Sequence, residues 1–404
     1  MDLKSGYPYW AVKNGLMHAF PALERDLRCD VAVVGGGVSG ALIANELVAH
    51  GFEVAVLEQR DIAWGSTAAS TALLQYEIDT HLTDLARLVG EDDAIRAYRA
   101  CADAIEQLEE VARNVKDVGF ARTASLYFAS RPWHRAALHE EWAMRSRCGL
   151  AVEWLDRPAL REHTGIHASG AILSATAARM DPYRFASRLL DRLRRNGTAV
   201  HDRTCVTCIE PAARSVLLHT DGGARVHAKH VVMAAGYASQ AWLDVRVARN
   251  SSSYAFVTDP LPRDALGPLA KLLIWESARP YFYCRSTDDH RLVVGGEDDA
   301  IDIPARRDRR VQRKARRLLA RTQRLFPQLA PKPAFLWAGT FAETADGLPF
   351  FGPHPQYGPR VLFAMAYGGN GITYAVIGAQ LLRALVERRA HPLQALFGFG
   401  RLER

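Results

Sequence analysis

The sequence predicts an α/β fold, a parallel sheet flanked by helices, together with a further region of strands. Three observations carry this expectation. The apolar, β-branched run from Asp30 ends in Gly35-x-Gly37-x-x-Gly40, leads into a helix-like segment from Ala41 to His50, and is followed by a strand, Glu53 to Leu57, that delivers Glu58. The segment Ala199 to Gly236 reads as a strand through Cys205-Val206, a polar hairpin at Thr220-Asp-Gly-Gly223, and a second buried strand ending in Ala234-Ala-Gly236. From Asn250 to Gly296 the chain alternates as half-buried strands do.

Each element has a physical task. Gly35 allows a tight turn, Gly37 lets backbone approach a pyrophosphate, and Gly40 lets the helix pack closely on the strand. A helix N-terminus there aims free N–H groups and a positive dipole at phosphates, and Glu58 sits where a carboxylate accepts ribose hydroxyls. Strand, helix, second strand and acid in this order predict a Rossmann-like domain that binds an adenine dinucleotide. The Gly65-to-Leu74 loop is rich in small residues and hydroxyls, which suit close approach to a flat ligand; alternatively its Ser and Thr cap a helix. Leu82 to Val115 predicts two helices broken near Gly90, and Tyr183 to Arg195 another, stopped by Asn196-Gly197. Near the C-terminus a strand, Arg360 to Ala366, runs through Tyr367-Gly-Gly-Asn-Gly-Ile-Thr373 into a helix ending near Arg388. That glycine turn places a second helix N-terminus where negative charge can develop.

Length and composition set bounds. The 404 residues can bury a large core, and 49% hydrophobic with 24% charged residues is ordinary for a globular chain. No apolar run is long enough for a transmembrane helix. The N-terminal residues carry scattered charges, Asp2 among them, and no apolar h-region, which argues against a secretory signal and for the cytoplasm. Six cysteines do not suggest a disulfide framework. Cys205 and Cys208 have redox or metal spacing, but on a strand residues three apart face opposite ways, so no metal site is expected. The net charge of +7 is mostly local: between Arg306 and Arg324 ten Lys or Arg face the single acid Asp308. Val311, Ala315, Leu318, Thr322 and Leu325 recur at helical spacing within it. The plain expectation is an amphipathic helix with a solvated basic face. A membrane-surface contact through residues 306–324 is the alternative; nucleic acid is disfavoured because no aromatic residues interleave the arginines.

The chain resembles the D-amino-acid oxidase-like (DAO) family of FAD-dependent oxidoreductases over nearly its whole length. The resemblance rests on Gly35-x-Gly37-x-x-Gly40 with Glu58, the Gly65-Ser-Thr-x-x-Ser-Thr loop, Val206 with Ala234-Ala-Gly236, Tyr281-Phe-Tyr-Cys-Arg285, Val294-Gly-Gly, Asp346-Gly-x-Pro349 and Tyr367-Gly-Gly-Asn-Gly-Ile372. It implies a Rossmann-like, two-dinucleotide-binding domain holding FAD in an extended form, with an α+β substrate domain built on an antiparallel sheet. Gly35, Gly37, Val38, Ser39 and Gly40 would face the pyrophosphate, Glu58 and Gln59 the adenosine ribose, and Val206 the adenine. Gly65, Ser66, Thr67, Ser70, Thr71, Ala72, Leu73 and Leu74 would lie along phosphates and ring, with Ala235 and Gly236 nearby. Gly347, Gly368, Gly369, Asn370, Gly371, Ile372 and Thr373 would meet the pyrimidine end. The implied domains are 1–84, 165–243 and 336–404 for FAD, and 85–164 and 244–335 for substrate.

Departures from the family pattern are informative. Some sarcosine oxidases attach flavin to a cysteine whose equivalent is near Gly339, and no cysteine occurs after Cys284, so FAD is expected to be non-covalent. Glycine oxidase-like members anchor a substrate carboxylate with arginines at positions matching Phe341 and Gly369; without them an unpaired carboxylate in an apolar pocket is costly. Amine-oxidising members are the closer match. Tyr281, Tyr283 and Arg285 share a strand face and are candidates to meet substrate, unless the tyrosines pack in the sheet and Arg285 faces solvent. Gln75, Tyr76 and Tyr254 are further pocket candidates.

The expected activity is oxidation of an amine or amino acid at the C–H beside nitrogen, by hydride transfer to flavin N5 and imine hydrolysis, with oxygen or another acceptor taking the electrons. The alternatives are a membrane-surface dehydrogenase passing electrons to a quinone or carrier, and a tRNA-modifying oxidase.

Overall fold

The computed structural model describes residues 3–365 and 367–403. Ala366, at the end of the last expected strand, lies outside the described residues, as do Met1, Asp2 and Arg404. Among the described residues two sheets organise the chain.

The smaller sheet is the one the Gly35 motif predicts. Leu27–Val34 pairs in parallel with Val54–Leu57 on one side and with Arg225–Met233 on the other. Ala199–His201 and Val361–Met365 extend it in parallel, and Val206–Pro211, Val216–Thr220 and Phe350–Pro353 add antiparallel strands. The strands carry Val31, Val33, Val54 and Val56 fully buried, as a sheet covered on both faces requires. Helices Val38–Ala49 and Gly371–Val386, which follow the two glycine turns, pack on each other. The opening turn depends on glycine: Gly35 has φ +118°, and a Cβ there would lie 2.4 Å from the Ala234 carbonyl oxygen. At Gly40 a Cβ would meet the Gly35 carbonyl oxygen at 1.9 Å, so helix and strand touch through backbone.

The larger sheet is mainly antiparallel, in the order Lys4–Gly6, Pro333–Glu343, Arg249–Thr258, Leu292–Asp299, Phe282–Ser286, Leu272–Glu276, Ala121–Phe128, Gly170–Arg179, Leu73–Gln75, with Val152–Asp156 also paired to Gly170–Arg179. Lys4–Gly6, Leu73–Gln75, Gly170–Arg179 and most of Pro333–Glu343 come from segments the sequence assigns to the dinucleotide domain. The chain leaves the smaller sheet at Leu57 and enters the larger one at Leu73, so the hydroxyl-rich loop between them joins the two sheets.

The basic segment forms two helices, Pro304–Asp308 and Val311–Leu325. Its basic face is not simply solvated. Arg310 pairs with Asp299 at 2.8 Å, Lys314 and Arg317 with Glu297 at 3.5 and 3.4 Å, and Arg321 with Glu276. Arg307 is buried and donates to Ser5 Oγ and Thr340 Oγ1. Half of the ten basic side chains thus answer acids and hydroxyls of the larger sheet, a pairing invisible from the charge run alone.

Candidate functional site

A cavity of about 470 Å³ runs between the two sheets, within the range of small-molecule sites. One end is bounded by Gly35, Gly37, Glu58, Gln59, Thr204, Cys205 and Val206. Its middle is lined by Ser66, Thr67, Ser70 and Thr71, and by Gly368 to Thr373. The far end is bounded by Gln75, Asp79, Ser253, Trp275, Tyr281, Tyr283, Asp298, Phe341 and Glu343. Val38, Ser39, Gly65, Ala72, Leu73, Ala235 and Gly236 complete the wall between them.

At the first end the Glu58 carboxylate is pinned by backbone: Oε2 accepts from Gly36 N–H at 2.8 Å and Oε1 from Arg60 N–H at 3.0 Å. Burial pushes its pKa up, while these two bonds pull it down. Thr67 Oγ1 accepts from Val38 N–H at 2.9 Å, which leaves the hydroxyl proton for a ligand. The first backbone bond of helix Val38–Ala49 is Ala41 N–H to Gly37, so preceding amides have no helical partner. Ser66 Oγ is buried and without a hydrogen-bond partner in the protein. An orphaned hydroxyl beside a helix N-terminus fits a phosphate.

The Gly65-to-Leu74 segment contains a short helix, Ser66–Ala69, and is held from behind by three buried donors. Trp10 Nε1 donates to Ser70 O at 2.7 Å, Trp337 Nε1 to Ala69 O at 2.8 Å, and Arg285 Nε to Thr71 O at 2.7 Å. Their side chains therefore set how near the loop stands to a ligand.

The second glycine turn is likewise anchored. Asp79 Oδ2 accepts from Gly369 N–H at 2.7 Å, Asn370 Nδ2 donates to Glu77 O at 2.7 Å, and Thr373 Oγ1 to Gln75 O at 3.1 Å. The Gly369 amide is thus occupied by Asp79. The backbone bonds of helix Gly371–Val386 begin with Tyr374 N–H to Asn370, so the amides of Gly371, Ile372 and Thr373 precede the helical ladder.

Several candidates stand elsewhere than expected. Arg285 shares the strand face of Tyr281 and Tyr283, but two residues on is roughly 7 Å along a strand. That step carries it out of the cavity and beneath the Thr71 loop, where it also donates to Met180 O and Ser286 O and lies under the Trp10 ring. It faces neither substrate nor solvent. Tyr76 alternates to the face opposite Gln75 and packs on Tyr98, outside the cavity lining. Tyr254 touches the cavity, but its hydroxyl goes to Asp299 Oδ2 at 3.2 Å and Lys314 covers its ring. Leu74 is core, Gly40 is a packing contact, and Gly347 accepts from Tyr374 Oη; none of the three lines the cavity.

Three acids at the far end escaped the sequence reading: Asp79, Asp298 and Glu343. Asp298 reaches the cavity through a β-bulge. Up to Val294 the even-numbered residues of its strand face helix Val311–Leu325, the side on which Leu292 and Val294 are packed. The register opposite slips between Ser252 and Tyr254, and Glu297 adopts φ 55°. Beyond that point Glu297 and Asp299 turn to the helix and Asp298 to the cavity. The Gly295-Gly296 pair was the available signal, since glycines inside a strand mark bulges.

A dinucleotide cradle opening onto a second, antiparallel sheet defines a flavin-dependent oxidoreductase of the two-domain type. Comparison with known proteins makes the class specific. The family model described as DAO, FAD dependent oxidoreductase, matches residues 30–385, and the chain belongs to that family. It is 27% identical to gamma-glutamylputrescine oxidoreductase of Escherichia coli (strain K12), over 96% of this chain and 90% of the relative. It is 29% identical to glycine oxidase of Geobacillus kaustophilus (strain HTA426), over 90% and 94%. The crystal structure of L-proline dehydrogenase from P. horikoshii superposes with a TM-score of 0.79 at 17% identity, covering 95% of this chain and 99% of that one. The protein is an FAD-dependent oxidoreductase.

Proposed function

We propose that this protein oxidises an amine or amino acid at the C–H beside nitrogen, and that the amine is the better substrate. The observation that carries the reading is the cavity itself: the Gly35 cradle and Glu58 lie at one end, and an aromatic, polar chamber formed by Trp275, Tyr281, Tyr283 and Gln75 at the other. Phe341 and Gly369 both line it, so neither position offers the guanidinium that a carboxylate would need. The names of the relatives, one an amine oxidoreductase and one an amino-acid oxidase, support the same chemistry.

FAD, held by these residues, would supply the hydride-accepting chemistry for oxidation at the substrate C–H, and water would hydrolyse the resulting imine to a carbonyl compound and free amine or ammonia. The residues of the chain bind, orient and exclude water. Gly35, Gly37 and the amides opening helix Val38–Ala49 would hold the diphosphate, with Ser66 and Thr67 donating hydroxyls. Glu58 would take the ribose. The amides of Gly371 to Thr373 would support negative charge at the pyrimidine edge. Tyr281, Tyr283 and Trp275 would close the reacting end to water. No cysteine lines the middle or far part of the cavity, which supports dissociable FAD.

Among the described residues no helix is long and apolar enough to cross a membrane. We take the cytoplasm as the site of action, with electrons passing to oxygen or another acceptor. The test is anaerobic: the purified, FAD-loaded protein is mixed with amines and amino acids while flavin absorbance is followed. Bleaching by at least one amine is expected. Bound flavin that no amine or amino acid reduces would overturn the reading.

A further inference from the structure

We propose that the far end of the cavity selects an amine carrying a second ammonium group, with Asp298 as the anchor of that distal cation and Asp79 and Glu343 reinforcing it. The inference rests on the amine-oxidation reading above and names its substrate class.

The charge pattern is one-sided. Among the described residues lining the cavity the cationic side chain is Arg60, beside Glu58 at the opposite end. The far end presents Asp79, Asp298 and Glu343. Glu343 is partly answered by Arg279 at 3.0 Å, which lies over the Tyr281 ring outside the lining. Asp79 holds the Gly369 amide. Asp298 keeps one unanswered oxygen: its Oδ1 is buried and has no hydrogen-bond partner in the protein. A buried carboxylate oxygen without a donor is costly, and a ligand ammonium supplies the missing charge and donor together. Tyr281, Tyr283 and Trp275 add ring faces of the kind that bind ammonium groups. The same field repels a free substrate carboxylate.

The titration of Asp298 agrees. Burial, then the neighbouring Glu343 and Asp79, push its pKa up to about 7, against the opposing Ser253 hydrogen bond and Arg279. Tyr281 and Tyr283 face the same group and, buried themselves, stay neutral near pH 7. Cation affinity is therefore expected to rise between about pH 6 and about pH 8 as Asp298 ionises.

Binding can be read without turnover. Calorimetry on the FAD-loaded protein compares an unreactive bis-quaternary diammonium alkane with a mono-quaternary alkane of the same chain length. The dication is expected to bind at least about tenfold tighter, a difference of about 1.4 kcal/mol, with the gap widening as pH rises. D298N should reduce the ratio to near one, D298E should restore part of it, and E343Q should narrow it less. Equal binding of the two probes by the parent protein, or tighter binding of an alkyl carboxylate, overturns the proposal even if no variant folds. An unchanged ratio in folded D298N overturns Asp298 as the anchor. Bleaching by monoamines without dication preference defeats this inference alone. Dication preference in a protein whose flavin no amine bleaches supports the anchor and defeats the oxidation reading.

Discussion

Arg285 and Asp298 sit on neighbouring strands of the same sheet and serve opposite ends. Arg285 spends its donors on three backbone carbonyls, Thr71 O, Met180 O and Ser286 O, and burial together with nearby Arg179 pulls its pKa down to about 9. Its role is to position the loop. Arg285→Met would strand those carbonyls; chemical denaturation should show a loss of about 3–5 kcal/mol. FAD affinity should fall with it, while KM measured at saturating FAD changes little. Asp298 works the other way, because its folded pKa is raised above that of the unfolded chain. A carboxyl of this kind favours folding while protonated, and the parent protein loses stability as pH rises from about 4 through about 7. D298N lacks that loss. Its stability, read by denaturant unfolding, should therefore exceed that of the parent by more at about pH 8 than at about pH 5, a difference of order 1–2 kcal/mol after solvent screening. A gap independent of pH would remove Asp298 as an ionising group.

At the level of elements, the hydroxyl-rich loop owes its place to chain far away in sequence. Trp10 lies in helix Tyr9–Asn14 and Trp337 in strand Pro333–Glu343, yet their indoles hold successive carbonyls, Ser70 O and Ala69 O. Trp337→Phe keeps most of the apolar burial and deletes one bond, so it should cost about 1 kcal/mol in stability and weaken FAD severalfold, as read by equilibrium dialysis. Helix Val311–Leu325 shows the same dependence on partners. Its apolar stripe was legible from spacing, and Val311, Ala315, Leu318 and Thr322 are indeed buried. Its basic face could not be read, because Glu276, Glu297 and Asp299 come from strands that the charge run does not mention. The bulge at Glu297 is the sharpest case. Simple alternation from Val294 sends Asp298 to the helix, and one extra residue sends it to the cavity instead.

For the whole molecule, two sheets meet along one cavity, and the chain crosses between them several times. Residues from near both termini reach it: Leu3 and Gly35 at one extreme of the sequence, Thr373 at the other. Local signals determined a great deal here. The Gly35 turn, Glu58, the strand ending at Gly236 and the Gly368 turn each announce themselves through glycine geometry and short-range periodicity, properties that act within a few residues. They suffice for the fold class and the cofactor. What tertiary structure alone decided was which charges share the far end. Asp79, Asp298 and Glu343 span more than two hundred residues of sequence, and each is an ordinary acid in its own segment. Their convergence depends on strand order and one bulge, and their coupling follows distance in space and burial and takes no account of sequence.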